Sequence, residues 1–253
     1  MDLQLLVRAS RAEWARIWSI RSSWWFVAGL ALPVLGFGTI GAFETARNAP
    51  DYGVATAWEG ALFTGVFALF GVTAMAVVIA TADHTTGGIV PTLQWTPRRG
   101  HLYAARTLVT VLTTSLIGVL LIAGASVIVR IVASGLTLTP SHGVKVLGMV
   151  ALVLGCAAAI AVGLGLLTRS TAVSLVVAIA LLLVLPLILG NMPWTWAVET
   201  AERLPGTSAL TLILGGGPSD SLSDGQARTT LLIWAAGLLT LGGWRLVRTD
   251  ANR

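Results

Sequence analysis

Six stretches of about 20 residues contain no Asp, Glu, Lys or Arg, and nothing else in the chain restricts its fold as much. They are Trp24–Phe43, Gly60–Ala82, Thr107–Val129, Val146–Thr168, Ala172–Gly190 and Thr229–Trp244. About 20 apolar residues in a helix cross the hydrocarbon core of a bilayer. Within lipid a helix also satisfies its own backbone polar groups. Composition points the same way. Of the 253 residues 55% are hydrophobic and 11% charged, with a mean hydropathy of +0.84, where a soluble domain carries about 25% charged residues. The expected fold is an all-α integral membrane protein of six transmembrane helices, with residues 1–253 forming a single transmembrane domain.

Uncharged spans argue against a proton-coupled pump, because such proteins keep ionisable relays inside the bilayer. Energy for any transport should therefore come from another subunit. Arg8, Arg11, Arg16, Arg21, Arg98, Arg99, Arg106, Arg169, Arg245, Arg248 and Arg253 fall on the side of the two termini. Only Arg47, Arg130, Lys145, Arg203 and Arg228 fall on the other. Basic flanks stay inside, so both termini are expected in the cytoplasm, with Arg130 as a headgroup anchor. The net charge of +5 is scattered between apolar runs and forms no nucleic-acid patch. No signal peptide is recognisable, and the first apolar run is expected to be retained as a span.

Enzymatic and metal chemistry find little support. Cys156 is the sole cysteine and lies in an apolar run, as a packing residue. His84, His101 and His142 are scattered without a third ligand at metal spacing. No Gly-x-Ser-x-Gly elbow and no Gly-x-x-x-x-Gly-Lys-Ser/Thr loop occurs. No catalytic, cofactor-binding or metal-binding residue is assigned.

Three segments outside the spans carry a pattern. Residues 2–21, stepped at 100° per residue, place Leu3, Leu6, Val7, Ser10, Trp14, Ile17 and Trp18 on one face, with Leu5 misplaced and Arg21 on the apolar side at the end. Arg8, Arg11, Glu13 and Arg16 fall on the remainder, the wet face of an interfacial helix touching membrane lipids. Trp24 and Trp25 mark the corner into the bilayer. This segment reads either as a topology signal with an aromatic belt or as a surface for a partner. Residues 83–106, "DHTTGGIVPTLQWTPRRGHLYAAR", place a short apolar stretch between charges, which suits a groove on a soluble partner. A plain basic inside loop is the other reading. In the outer loop 191–227, Ser208–Leu214 is apolar but too short to span, so a pair of re-entrant or interfacial helices is expected before the last span. Glu59, Phe63, Phe67 and Phe70 share a face of the second span; Phe63, Phe67 and Phe70 either line a path for a greasy substrate or pack against lipid or core.

An acidic residue closing the second span, then Thr-Thr-Gly, Thr-Leu and Pro-Arg-Arg before Ala-Ala-Arg, is similar to membrane subunits of the ABC type-2 transporter permease family. That family commonly has Glu and Lys where this chain has Asp83 and Arg106, both charge-preserving. Glu13 to Trp25 resembles the start of its smaller bacterial members, and "RLPGTSAL" at 203–210 resembles a stretch of their last outer loop. The resemblance implies an N-terminal amphipathic elbow helix at 2–22, a coupling segment at 83–103 and re-entrant outer helices. It implies a permease in a bacterial cytoplasmic membrane, exporting a hydrophobic or amphipathic compound such as a drug, peptide antibiotic or lipid. The expected partners are a cytoplasmic ATP-binding subunit, which carries the ATP and Mg, and a second permease subunit in a homodimer or heterodimer. Coupling to the ATPase would fall to Asp83, Gly87, Arg98, Arg99 and Arg16. A non-transporting scaffold or sensor subunit is the alternative.

Overall fold

A computed structural model describes residues 3–19, 21–48, 56–85, 99–215 and 222–248. Among these residues the chain is almost wholly helical, and one isolated bridge, Thr56 to Thr137, is the nearest approach to a strand. Helix α1 is Leu3–Ser19 and α2 is Arg21–Asn48. The second apolar run is not one α-helix: α3 (Ala57–Ala61) passes through a tighter 3-10 turn, Leu62–Thr64, into α4 (Gly65–Thr85). The two longest helices follow, α5 (Arg99–Val132) and α6 (Pro140–Thr168). The fifth run is α7 (Thr171–Ile179), a wide π turn at Ala180–Val184 and α8 (Leu185–Gly190). Then come the short α9 (Thr195–Glu202) and α10 (Pro205–Leu214), and finally α11 (Asp224–Arg248).

Five segments are long and apolar enough to cross a membrane: Arg21–Arg47, Ala57–Asp83, Gly100–Val132, Pro140–Thr168 and Thr171–Gly190. They make the chain an all-α, multi-pass membrane protein. The sixth expected span, Thr229–Trp244, lies inside α11, whose 25 residues suffice in length but which is not among the five.

Helix α6 is the centre of the bundle. It packs most extensively against α11 and then against α4 and α5, and its middle is a run of buried small residues that includes Cys156, Ala157, Ala158, Ala161 and Gly163. A side chain on Gly163 would place its Cβ 2.6 Å from the backbone carbonyl of Leu238, and one on Gly242 would lie 2.9 Å from the Gly163 oxygen. Small residues thus bring the α6 and α11 backbones together, the contact that favours helix association in lipid.

Helix ends follow from local chemistry. Thr56 and Glu59 form a reciprocal cap at the start of α3: Glu59 N–H donates to Thr56 Oγ1 (3.4 Å) and Thr56 N–H donates to Glu59 Oε2 (3.2 Å). Trp58 Nε1 donates to the Thr139 carbonyl (3.1 Å), which seats α3 on the turn between α5 and α6. Thr56→Ala removes the Oγ1 acceptor and is expected to cost about 1 kcal/mol, read as a lowered thermal unfolding midpoint; an unchanged midpoint would show the cap to be idle. Arg130 donates to the Ser134 carbonyl (3.0 Å) just beyond α5. Segment 191–227 contains two short helices among its described residues, and α10 is buried from Pro205 to Ile213 and belongs to the core.

The π turn has a cause. Pro186 offers no N–H to the carbonyl of Leu182, four residues earlier, and the chain widens just before it. Gly206 of α10 docks on that carbonyl, so close that an added Cβ would lie 2.2 Å from its oxygen.

Candidate functional site

Glu13 and Arg16 lie three residues apart on α1 and share a face of it. Asp83 is in the last turn of α4, and Arg106 is in the second turn of α5. These four side chains close into a ring of alternating charge. Glu13 meets Arg16 through Oε2, at 2.7 Å from its terminal nitrogen and 2.9 Å from Nε, and meets Arg106 through Oε1 at 3.2 Å. Asp83 meets Arg16 through Oδ1 at 3.0 Å and Arg106 through Oδ2. Each carboxylate therefore spends one oxygen on each guanidinium.

Burial makes the ring demanding. The side chains of Arg106, Glu13, Asp83 and Arg16 are 2%, 7%, 13% and 24% exposed. Charges this far from water persist only when paired and hydrogen-bonded, and two acids with two bases sum to zero. Ile17 of α1, Met75 and Ile79 of α4 and Val109 of α5 pack as an apolar cluster of the same three helices. The ring fastens α1 to α4 and α5, the two helices on either side of segment 86–98.

Two of the expected coupling residues, Asp83 and Arg16, are brought together here. Arg99 opens α5, whereas Gly87 and Arg98 lie outside the described residues. Glu13 corrects the wet-face reading of α1: it points inward, because the guanidiniums of Arg106 and Arg16 together offset its desolvation. Arg106, read as a flank charge, is among the most buried side chains of the protein. Neither role follows from position along a single helix, though each residue stands out locally. Glu13 is the only acid on α1, and Arg106 stands directly against an uncharged run.

The phenylalanines turn toward α2. The Phe63 ring covers Gly41, where a Cβ would come within 2.3 Å of it. Phe67 stacks on Phe37 with centroids 4.5 Å apart. Phe70 stays partly exposed, and Phe67 and Phe70 line a groove of about 480 Å³ with Trp25, Phe26, Leu30 and Pro33. Trp14, Trp18 and Trp24 form a chain of ring contacts, at 5.7 and 4.9 Å, that links α1 to α2.

Another basic pair marks the α6–α7 turn. Arg245 donates to the Leu167 carbonyl at the end of α6, and Arg169 adopts a left-handed conformation as the cap of that helix. Burial, and then the charge of Arg245, push the Arg169 guanidinium below its ordinary pKa.

No protein-family model matches the chain, and no curated protein is significantly similar to it.

Proposed function

We propose that this chain is the permease subunit of an ATP-driven exporter that moves a hydrophobic or amphipathic compound. The observation that carries the reading is the ring of Glu13, Arg16, Asp83 and Arg106, which ties α1 to both helices flanking segment 86–98. A separate ATP-binding subunit pressing on that segment would move α4 and α5. The ring would pass the movement to α1 as one body, since breaking it strands buried charge. In this arrangement α11 is the sixth span, both termini are cytoplasmic, α1 is the elbow, and α9 and α10 are the outer re-entrant pair. A second permease subunit completes the pathway. The groove at Phe67 and Phe70 suits an apolar substrate and lies on α4, the helix that also carries Asp83.

The test is to ask whether a neighbouring gene encodes a Walker-motif ATPase and to co-express that ATPase with this chain. Arg98→Glu with Arg99→Glu is expected to weaken ATPase-linked efflux about 5- to 150-fold, the range of an ordinary coupling energy, while the chain still inserts in the membrane. Efflux and assembly at wild-type levels would remove the segment from the mechanism. If no ATPase co-purifies with the wild-type chain, the non-transporting scaffold takes its place.

A further inference from the structure

Helix α1 is fastened along one stripe and open along the next. Glu13 and Ile17 face inward and are buried. Beside them Leu6, Val7, Ser10, Arg11 and Trp14, at the three- and four-residue spacing of one helical face, line a groove of about 490 Å³ closed on its far side by Leu108 and Val109 of α5.

The groove is apolar except at one end of its chemistry. Val7, Trp14 and Leu108 are half exposed within it. Arg11 stands at the wall, with Arg8 three residues away, and both are exposed. Helix α1 carries three Arg and one Glu, but the ring consumes Glu13 and Arg16. Arg8 and Arg11 are the charge left over, and neither makes an ion pair among the described residues. An occupant must therefore cover apolar surface and bring negative charge within reach of guanidinium groups.

We propose that the groove between α1 and α5 binds one anionic phospholipid, its acyl chain along Val7, Trp14, Leu108 and Val109 and its phosphate at Arg11 and Arg8. Guanidinium groups pair with phosphate through parallel hydrogen bonds, and basic side chains beside a bilayer select anionic headgroups. A free phosphate leaves the apolar walls uncovered. A zwitterionic lipid offers the same phosphate but brings its own cation, so the net positive charge of the two arginines is left unbalanced. Glu13 occupies the neighbouring stripe of the same helix and reaches Arg106 of α5, so the ring holds together the two helices that wall the groove.

Native mass spectrometry of the purified full chain, offered phosphatidylglycerol and phosphatidylcholine at equal concentration, tests this without reference to transport. The wild-type chain is expected to retain phosphatidylglycerol by about tenfold or more over phosphatidylcholine. Leu108→Trp, at an exposed position that fills the groove, abolishes the retained lipid. Arg8→Gln with Arg11→Gln equalises the two lipids while circular dichroism stays unchanged. Equal retention of both lipids by the wild-type chain overturns the proposal. So does phosphatidylglycerol retained undiminished by Leu108→Trp, or glycerol phosphate binding as tightly as the intact lipid.

Discussion

Replacing Arg106 with alanine is expected to destabilise the chain by about 3–5 kcal/mol, the cost of stranding a buried charge whose partner has been removed. Oε1 of Glu13 and Oδ2 of Asp83 would lose their common partner in a place water reaches poorly. Arg16 cannot compensate, since it already holds the other oxygen of each. The same truncation at Arg16 should cost less, because its side chain is the most exposed of the four. Removing charge in pairs should cost less again: Glu13→Gln with Arg106→Gln keeps the ring neutral and leaves Arg16 with Asp83. The measurement is thermal unfolding in one detergent across the three variants. The order Arg106→Ala, then Arg16→Ala, then the paired variant is the expected sequence of decreasing damage. If Arg106→Ala unfolds at the wild-type temperature, the ring is not holding α1 to α4 and α5.

The second large effect is expected at Gly206. Its Cβ position lies 2.2 Å from the Leu182 oxygen, 2.5 Å from the Leu182 carbonyl carbon and 2.5 Å from Cγ of Pro186. Two of these three atoms are backbone, so no rotamer change relieves the clash, and α10 must move as a body. Overpacking of this kind costs about 1–3 kcal/mol and occasionally more. Gly206→Ala belongs at the upper end, because α10 is buried on every side and Thr207 donates to the Ala201 carbonyl beside it. Gly225→Ala is the control, since nothing lies within 4 Å of its Cβ position. Limited proteolysis between α9 and α11 should accelerate in Gly206→Ala and not in the control. Equal cleavage of the two would mean that the seat of α10 on the π turn contributes nothing to stability.

Part of this architecture is legible residue by residue. The runs that became α2, α5 and α6 announce themselves through length and lack of charge, and each helix extends past its apolar window because flanking polar residues continue the backbone ladder at no cost in water. The short α3 also had a local signature that the apolar window hides. Thr56 with Glu59 three residues on is a capping pair, so the second run begins as a separate turn. Pro186 marks a break in the fifth run, but only the approach of Gly206 gives that break a role. At the candidate site, Asp83 and Arg16 came forward through the family resemblance. Glu13 did not, because on a helical wheel it belongs with the wet residues.

What the sequence determined by itself is the class: an all-helical chain whose apolar stretches are long enough to cross a membrane. Length and hydropathy are properties of consecutive residues, and a bilayer reads them one segment at a time. What only the tertiary structure decided is which polar groups leave water. Glu13 and Arg106 are 93 residues apart and are paired because α1 docks against α5, and α10 enters the core because a proline break opposite it accepts a glycine. A buried charge is tolerated only when it is paired and hydrogen-bonded, and no periodicity within a single helix can encode a partner that arrives from elsewhere in the chain.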